Sequence, residues 1–428
     1  MSQKRKDIES NEEDKPEKKK KKPSCAIPGG FPEYPVLQEV LKRYSWTTIK
    51  DPIFTPKYEP HLPSWKNIPT SVNPIDYFKC MVNQKLVDRM LYDSNKLDQF
   101  QNAAKLQSKE VYTYIGLILV SVVMGISNHP DLFSHGEYSY TYPGKGEAMG
   151  KDRFSVIHPH LTINLEKMRS ILETNFLHHL SPGTFLTIDE SRIKAKPTMH
   201  AGLSYNKEKP EKWAFEINTI GDTDTRYLLG MMPSKEATGE IALAQLIEKM
   251  PLDKDKHYHL TADSKFSNFA QLKRLKLIGI EATLCIKKGR LPSEVYKVGI
   301  ANCLPPGLSR FATQEGIIAA AYHNKKIIQL ATTFFDVQES PERRLQSERQ
   351  DILDLYDDTK RGLDQFNQLA TYFWHDHPHS SQQQSQQLGY ISYALTNSYI
   401  MYTRNVKDPM SHRNYVKSIA KSLLVKNE

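Results

Sequence analysis

The chain has 428 residues, of which 39% are hydrophobic and 25% charged, with a formal net charge of +9. That composition excludes a wholly disordered or collagen-like chain and leaves room for two or three domains with a sizeable core. Four cysteines without a CxxC pair, and no apolar stretch after the basic start, argue against a disulfide scaffold, a zinc framework and a secreted precursor.

The first 22 residues hold nine Lys/Arg against six Asp/Glu, which leaves a basic body of about +6 behind the tail. Lys4 to Lys6 and Lys18 to Lys22 are short basic clusters in a segment without apolar periodicity. Residues 1–33 are therefore expected to be a disordered basic tail, and the clusters suit nuclear import or non-specific phosphate contact. Residues 34–73 carry Pro52, Pro56, Pro60, Pro63 and Pro69 and read as an extended arm packed through Tyr58 and Trp65.

From residue 74 to 183 apolar residues recur at spacings of three and four, predicting helices over Tyr77–Met90, Glu110–Met124 and Phe154–Phe176. The run Val111 to Ser127 approaches the length of a membrane span, but its Tyr, Thr, Ser and Gly content predicts a buried core helix. At Thr184 the pattern changes. Strands are predicted at Phe185–Glu190, Lys212–Asn218 and Arg226–Met232, a helix at Gly239–Met250, a strand at Tyr258–Ala262, a helix at Phe266–Leu277 and a strand at Ile280–Ile286.

The order is β-β-β-α-β-α-β. Trp213 is expected in the core, and His257 and His259 partly exposed on one strand face. Residues 292–350 contain two further strand patterns, Ile317–Tyr322 and Lys326–Thr333. Asp351–Trp374 reads as one long acidic helix, residues 375–387, including His375, His377 and His379, as a polar loop, and Leu388–Tyr402 as an apolar helix.

Two predicted strands end in a carboxylate, Asp189 and Asp263. If the strands are neighbours, like charges meet at one end of the sheet, which is costly unless a cation lies between them. Asp263 is equally suited to capping the helix that follows. A metal site for phosphoryl transfer needs a third carboxylate, and spacing leaves Asp351, Asp354, Asp357, Asp358 and Asp364 as candidates.

Four stretches in order, Leu186–Glu190 (LTIDE), Lys209–Trp213 (KPEKW), Leu260–Asn268 (LTADSKFSN) and Tyr356–Gln368 (YDDTKRGLDQFNQ), resemble the core motifs of piggyBac-type transposases. Glu110–Gly116 and Met149–Phe154 resemble that family's helical domain, so the likeness spans roughly residues 75 to 425.

The resemblance implies an α/β protein with an RNase H-like catalytic core, a mixed five-stranded sheet with helices. That core occupies 184–291 and 351–373, carries a β-rich insertion at 292–350, and is flanked at 74–183 and 374–428 by a mostly helical domain for dimerisation and DNA binding. It further implies a metal-dependent DNA transposase or transposase-derived nuclease acting in the nucleus. Its triad would be Asp189, Asp263 and Asp364, catalytic residues that hold Mg²⁺, with Mn²⁺ as the alternative ion and no zinc.

Hairpin intermediates, TTAA targets, double-stranded transposon-end DNA as partner, a homodimer and no membrane belong to the same expectation. Lys287, Lys288 and Arg290, after the fifth strand, are expected to contact phosphate. The chain departs from the family at Asn367, where the family has a further acid, at Ser385–Leu388, where it has Arg-Trp, and in having no cysteine beyond Cys303 for the family's zinc module. These departures motivate a second reading, a domesticated DNA-binding or architectural protein without excision activity. A repair or recombination nuclease on the same core is a third.

Overall fold

The computed structural model describes residues 46–102, 104–137, 139–195, 202–209, 211–297, 304–340, 351–371 and 381–425. The basic tail, Cys25, Cys303 and the histidines at 375, 377 and 379 lie outside the described residues.

The arm contributes β1 (Thr47–Ile49), β2 (Pro52–Pro56) and β3 (Ser64–Trp65). Its side chains anchor as expected: the Tyr58 hydroxyl donates to the Tyr258 carbonyl at 3.0 Å, and Trp65 meets Tyr227 edge-on at 5.2 Å. The helical part follows, with α1 (Pro74–Met81), α2 (Gln84–Ser94), α3 (Asp98–Gln101), α4 (Ser108–Met124), α5 (Lys151–His160) and α6 (Leu165–His179).

Two predicted helices are each split in two. Asn83, one residue beyond the Val82 C-cap of α1, caps α2 by accepting from the Leu86 amide, and Asn164 caps α6 in the same way through Lys167. The apolar α4 is buried. Its start is closed by a Gln107–Glu110 capping box and its end by Gly125 at φ 71°. Glu110 also pairs with Arg153 at 2.6 Å, tying α4 to α5. Among the described residues no helix is long and apolar enough to cross a membrane.

The sheet region runs β4 (Leu180–Ser181), β5 (Phe185–Lys194), β6 (Ser204–Tyr205), β7 (Trp213–Asp222), β8 (Tyr227–Pro233), α7 (Gly239–Glu248), β9 (Tyr258–Ala262), α8 (Phe269–Leu277), β10 (Ile280–Cys285) and α9 (Ser293–Lys297). It continues with β11 (Ser309–Gln314), β12 (Ile317–His323), β13 (Ile327–Thr332) and β14 (Phe335–Glu339). The helices α10 (Asp351–Lys360), α11 (Gly362–Thr371), α12 (Gln382–Asn405) and α13 (His412–Leu424) complete the chain.

The five predicted strands lie side by side as β8-β7-β5-β9-β10, with β9 parallel to both neighbours and the other pairs antiparallel. The inserted strands extend this sheet: β13 pairs with β10, β12 and β11 follow, and β1 from the arm closes the edge. Helices α10 and α11 pack on β5, and α12 on β5 and β8. Asn397 of α12 acts as a substitute strand partner, accepting from the Leu228 amide at 2.9 Å and donating to its carbonyl at 2.8 Å. That satisfies buried backbone groups where helix and sheet meet.

Three expectations are corrected. Gln382–Gln387 belongs to α12 rather than a loop, because packing recruits its amides: Gln383 donates to the Ile163 carbonyl at 2.9 Å. His259 is fully buried, bonded through Nε2 to Thr283 Oγ1 at 2.9 Å, because β9 is covered on both faces. Trp213 is not in the core: it is 38% exposed at the sheet edge and packs on the exposed Tyr205 at 4.9 Å.

Candidate active site

Ile188 pairs with Ala262 across the parallel β5–β9 ladder. The next residue on each strand is Asp189 and Asp263, so both carboxylates stand at one level of the sheet. Asp189 is still within β5, and its carbonyl accepts from the Thr219 hydroxyl at 2.8 Å.

Asp263 begins a turn, its Oδ1 accepting from the Lys265 amide at 2.8 Å while its carbonyl accepts from Ser267 Oγ at 2.6 Å. It is not the cap of α8; Asn268 is, accepting from the Gln271 amide at 2.6 Å. The acid is thus part of a polar turn between strand and helix, and the residue is exposed.

The expected long acidic helix breaks at Arg361, and Asp364 lies in the first turn of α11. Two contacts set that turn's position. Thr359 Oγ1 lies 2.6 Å from Thr261 Oγ1 of β9, and Gly362 lies so close to the sheet that a Cβ there would be 2.8 Å from Thr223 Cα and 3.0 Å from Thr187 Cγ2. Only a residue without a side chain lets the helix start so near β5.

Burial pushes the Asp189 carboxyl up to about 7, and the negative charges of Asp364, Asp263 and Glu190 add to the rise, against a hydrogen bond from the Glu190 amide. The leading causes of this rise include none of the other candidates, Asp351, Asp354, Asp357 and Asp358 of α10. Among the described residues, however, no three His, Cys, Asp or Glu side chains are gathered into a set that would hold a metal as they stand. In donor chemistry the three aspartates fit a hard divalent cation; in spacing the set is open.

A cleft of about 460 Å³ is lined by Asp189, Glu190, Arg192, Lys209, Asp364 and Asn367. A larger cavity lies elsewhere, among helices, but it carries no carboxylate. Strand alternation puts Glu190 on the opposite face from Asp189, yet both line this cleft. The Glu190 carboxylate is engaged by Lys265, which also reaches Glu216 at 3.3 Å. Glu216 in turn pairs with Arg192, its register partner across β5–β7, at 2.7 Å. Burial raises the Glu216 carboxyl, but bonds and charges from Ser204, Lys265 and Arg192 outweigh it and hold it below the usual carboxylate range.

Asn367 accepts from Ser191 Oγ and donates to the Glu190 carbonyl at 3.3 Å, bracing α11 against β5. The link between Lys265, Glu216 and Arg192 depends on strand register, which the sequence does not show; only the i, i+2 spacing of Glu190 and Arg192 hints at a shared face. Lys287, Lys288 and Arg290 are exposed just beyond β10, which ends on the same side of the sheet as β9 because the two run parallel.

The central strands β8-β7-β5-β9-β10 with helices packed on them define an α/β protein with an RNase H-like core. A family model described as Transposase IS4 matches residues 73–399, and the chain belongs to that family, the piggyBac-type transposases. Among solved structures it is similar to a piggyBac transposase synaptic complex with hairpin DNA, with a TM-score of 0.70 and 18% identity over 86% of this chain and 82% of the other.

Proposed function

We propose that the chain cuts and joins DNA strands at transposon ends by in-line phosphoryl transfer, with Asp189, Asp263 and Asp364 holding the catalytic divalent cation, Mg²⁺ or Mn²⁺. The observation that carries this reading is the β5–β9 register that brings Asp189 and Asp263 to one level of the sheet, with Asp364 lining the same cleft as Asp189; the raised Asp189 carboxyl agrees with it. Like charges from distant parts of the chain raise the cost of ionising the buried Asp189, and a cation offsets that cost.

When bound, the cation supplies an activated water and charge neutralisation at phosphorus. The chain's own residues supply position. Thr219 fixes the Asp189 main chain, Gly362 and the Thr261–Thr359 contact seat Asp364, and Lys265 occupies the Glu190 carboxylate. Hairpin intermediates, TTAA targets, a homodimer and a nuclear location complete the reading. The hairpin DNA in the similar transposase complex supports the hairpin step.

DNA would lie across the basic end of the sheet, with Lys287, Lys288 and Arg290 meeting phosphates. The exposed Tyr205–Trp213 pair, flanking Lys207, Lys209 and Lys212 in sequence, adds aromatic surface at the same strand edge as the cleft lysine, Lys209.

The open spacing of the carboxylates favours a second reading, a DNA-binding protein that keeps the fold without excision. The purified chain, end-bearing duplex DNA and Mg²⁺ separate the two. The enzyme nicks, and Asp263→Asn abolishes nicking while DNA binding persists; binding without nicking in the unsubstituted chain establishes the second reading instead.

A further inference from the structure

A cavity of about 670 Å³ opens between α4, α13 and the Thr141–Pro143 loop. Its walls combine two chemistries. Val123 and Met124 from the end of α4 and Ala420 from α13 are apolar, while Arg413, Lys417 and Lys421 stand at successive four-residue steps of α13. Four residues advance a helix by roughly 6 Å, so the cations form a slanted row along one side of the groove.

All three are exposed, and none forms an ion pair with a carboxylate among the described residues. By contrast, Arg153 and Arg169 in the same helical part are each matched by a glutamate. The helices that form the groove pack on other helices, α4 on α2, α5 and α13, and α13 on α4 and α1, rather than on the sheet that carries the aspartates.

From this geometry we infer that the groove is a docking site for an acidic amphipathic helix of a partner protein. Its apolar side chains fill the floor between Val123, Met124 and Ala420, and its carboxylates pair with Arg413, Lys417 and Lys421. Charge complementarity selects an acidic occupant, since a row of cations without acids attracts and orients negative groups. The apolar floor selects protein over nucleic acid. A phosphate backbone is satisfied by cations and polar donors and has no apolar ridge to bury, whereas a helix laid in a groove presents such a ridge at three- and four-residue spacing. A second copy docked symmetrically would set this row of cations against itself, which charge repulsion opposes. The inference stands apart from the carboxylate site and holds whichever reading of that site is correct.

The test uses the full chain and a fluorescein-labelled synthetic peptide, helical, with leucines along one face flanked by glutamates. A control peptide has the same composition shuffled so that no apolar face forms. Anisotropy titration is expected to show saturable binding of the amphipathic peptide, about tenfold or more tighter than the control. The triple substitution Arg413→Glu, Lys417→Glu and Lys421→Glu is expected to weaken it by about tenfold or more, and Met124→Asp, which alters only the floor, to weaken it as well. Circular dichroism confirms that both variants fold. Equal binding of the two peptides overturns the proposal. So does a short duplex DNA that binds through the same three cations, displaces the peptide and is indifferent to Met124→Asp, which would assign the face to nucleic acid.

Discussion

Asp189, within β5, and Asp263, in the turn after the parallel strand β9, stand at the same level, one residue beyond the Ile188–Ala262 pair. Strand β5 fixes Asp189, and the turn bonded through Lys265 and Ser267 holds Asp263. With Asp364 nearby, burial and like charge hold the Asp189 carboxyl at about 7. A cation must displace that proton. Mn²⁺ affinity is therefore expected to fall as pH drops below about 7, by up to roughly tenfold per unit. Calorimetry in buffers of different ionisation enthalpy should show proton release at about pH 7; affinity that stays flat across neutral pH would contradict the assignment.

The same shift makes Asp189 a liability for stability. Its folded pKa of about 7 exceeds its ordinary value of 3.8, so the folded state holds a proton that the unfolded state has lost between those values. Stability contributed by the protonated acid is present at low pH and is lost as pH rises through about 7. In metal-free buffer at about pH 8, Asp189→Asn is expected to gain about 1–2 kcal/mol while losing nicking. Denaturant titration of both proteins checks this, and a destabilised variant would show that the carboxylate is not strained.

Gly362→Ala tests the seat of Asp364. The added methyl would press on Thr223 and Thr187, at 2.8 and 3.0 Å, so either the helix start moves or the sheet does. A cost of about 1–3 kcal/mol is expected, with nicking reduced far more than DNA binding. Retention of full activity would mean that the close approach is incidental.

His259 gives the protein an acid limit of its own. Burial lowers its pKa to about 3, below the ordinary 6.5, so only the unfolded state takes up this proton between those values. Stability falls as pH is lowered from about 6.5, by up to about 1.4 kcal/mol per pH unit from this residue. His259→Gln should flatten that slope over about pH 4 to 6 in melts of the two proteins; an unchanged slope would place the effect elsewhere.

Replacing Lys287, Lys288 and Arg290 with glutamine is expected to lower the salt dependence of DNA binding, by about 0.9 in the log–log slope for each phosphate no longer neutralised. Measured slopes that coincide with the unsubstituted chain would exclude this loop from the DNA path.

Much of this is legible in the residues. Five strand patterns give the β-β-β-α-β-α-β order, and the carboxylate after the fourth marks Asp263; Asp189 stands in mid-strand, since β5 runs on to Lys194 where the apolar pattern stops at Glu190. The break before Asp364 is hidden, since apolar spacing continues from Ile352 through Leu363 and Phe366 and only Gly362 interrupts it. Exposure of Trp213 follows from its place opposite the two-residue β6, where no further described strand covers it, which composition does not reveal. The Lys265–Glu216–Arg192 chain needs the register of β5 on β7, and buried glutamines in α12 need the partners they find in the helical part.

The most direct measurement of the central claim is anomalous diffraction from crystals of the chain with transposon-end DNA and Mn²⁺. A peak with carboxylate oxygens of Asp189, Asp263 and Asp364 within about 2.0–2.6 Å, the range of metal–oxygen bonds, is the predicted result. A peak elsewhere, or one at this place that Asp364 does not reach, would contradict it.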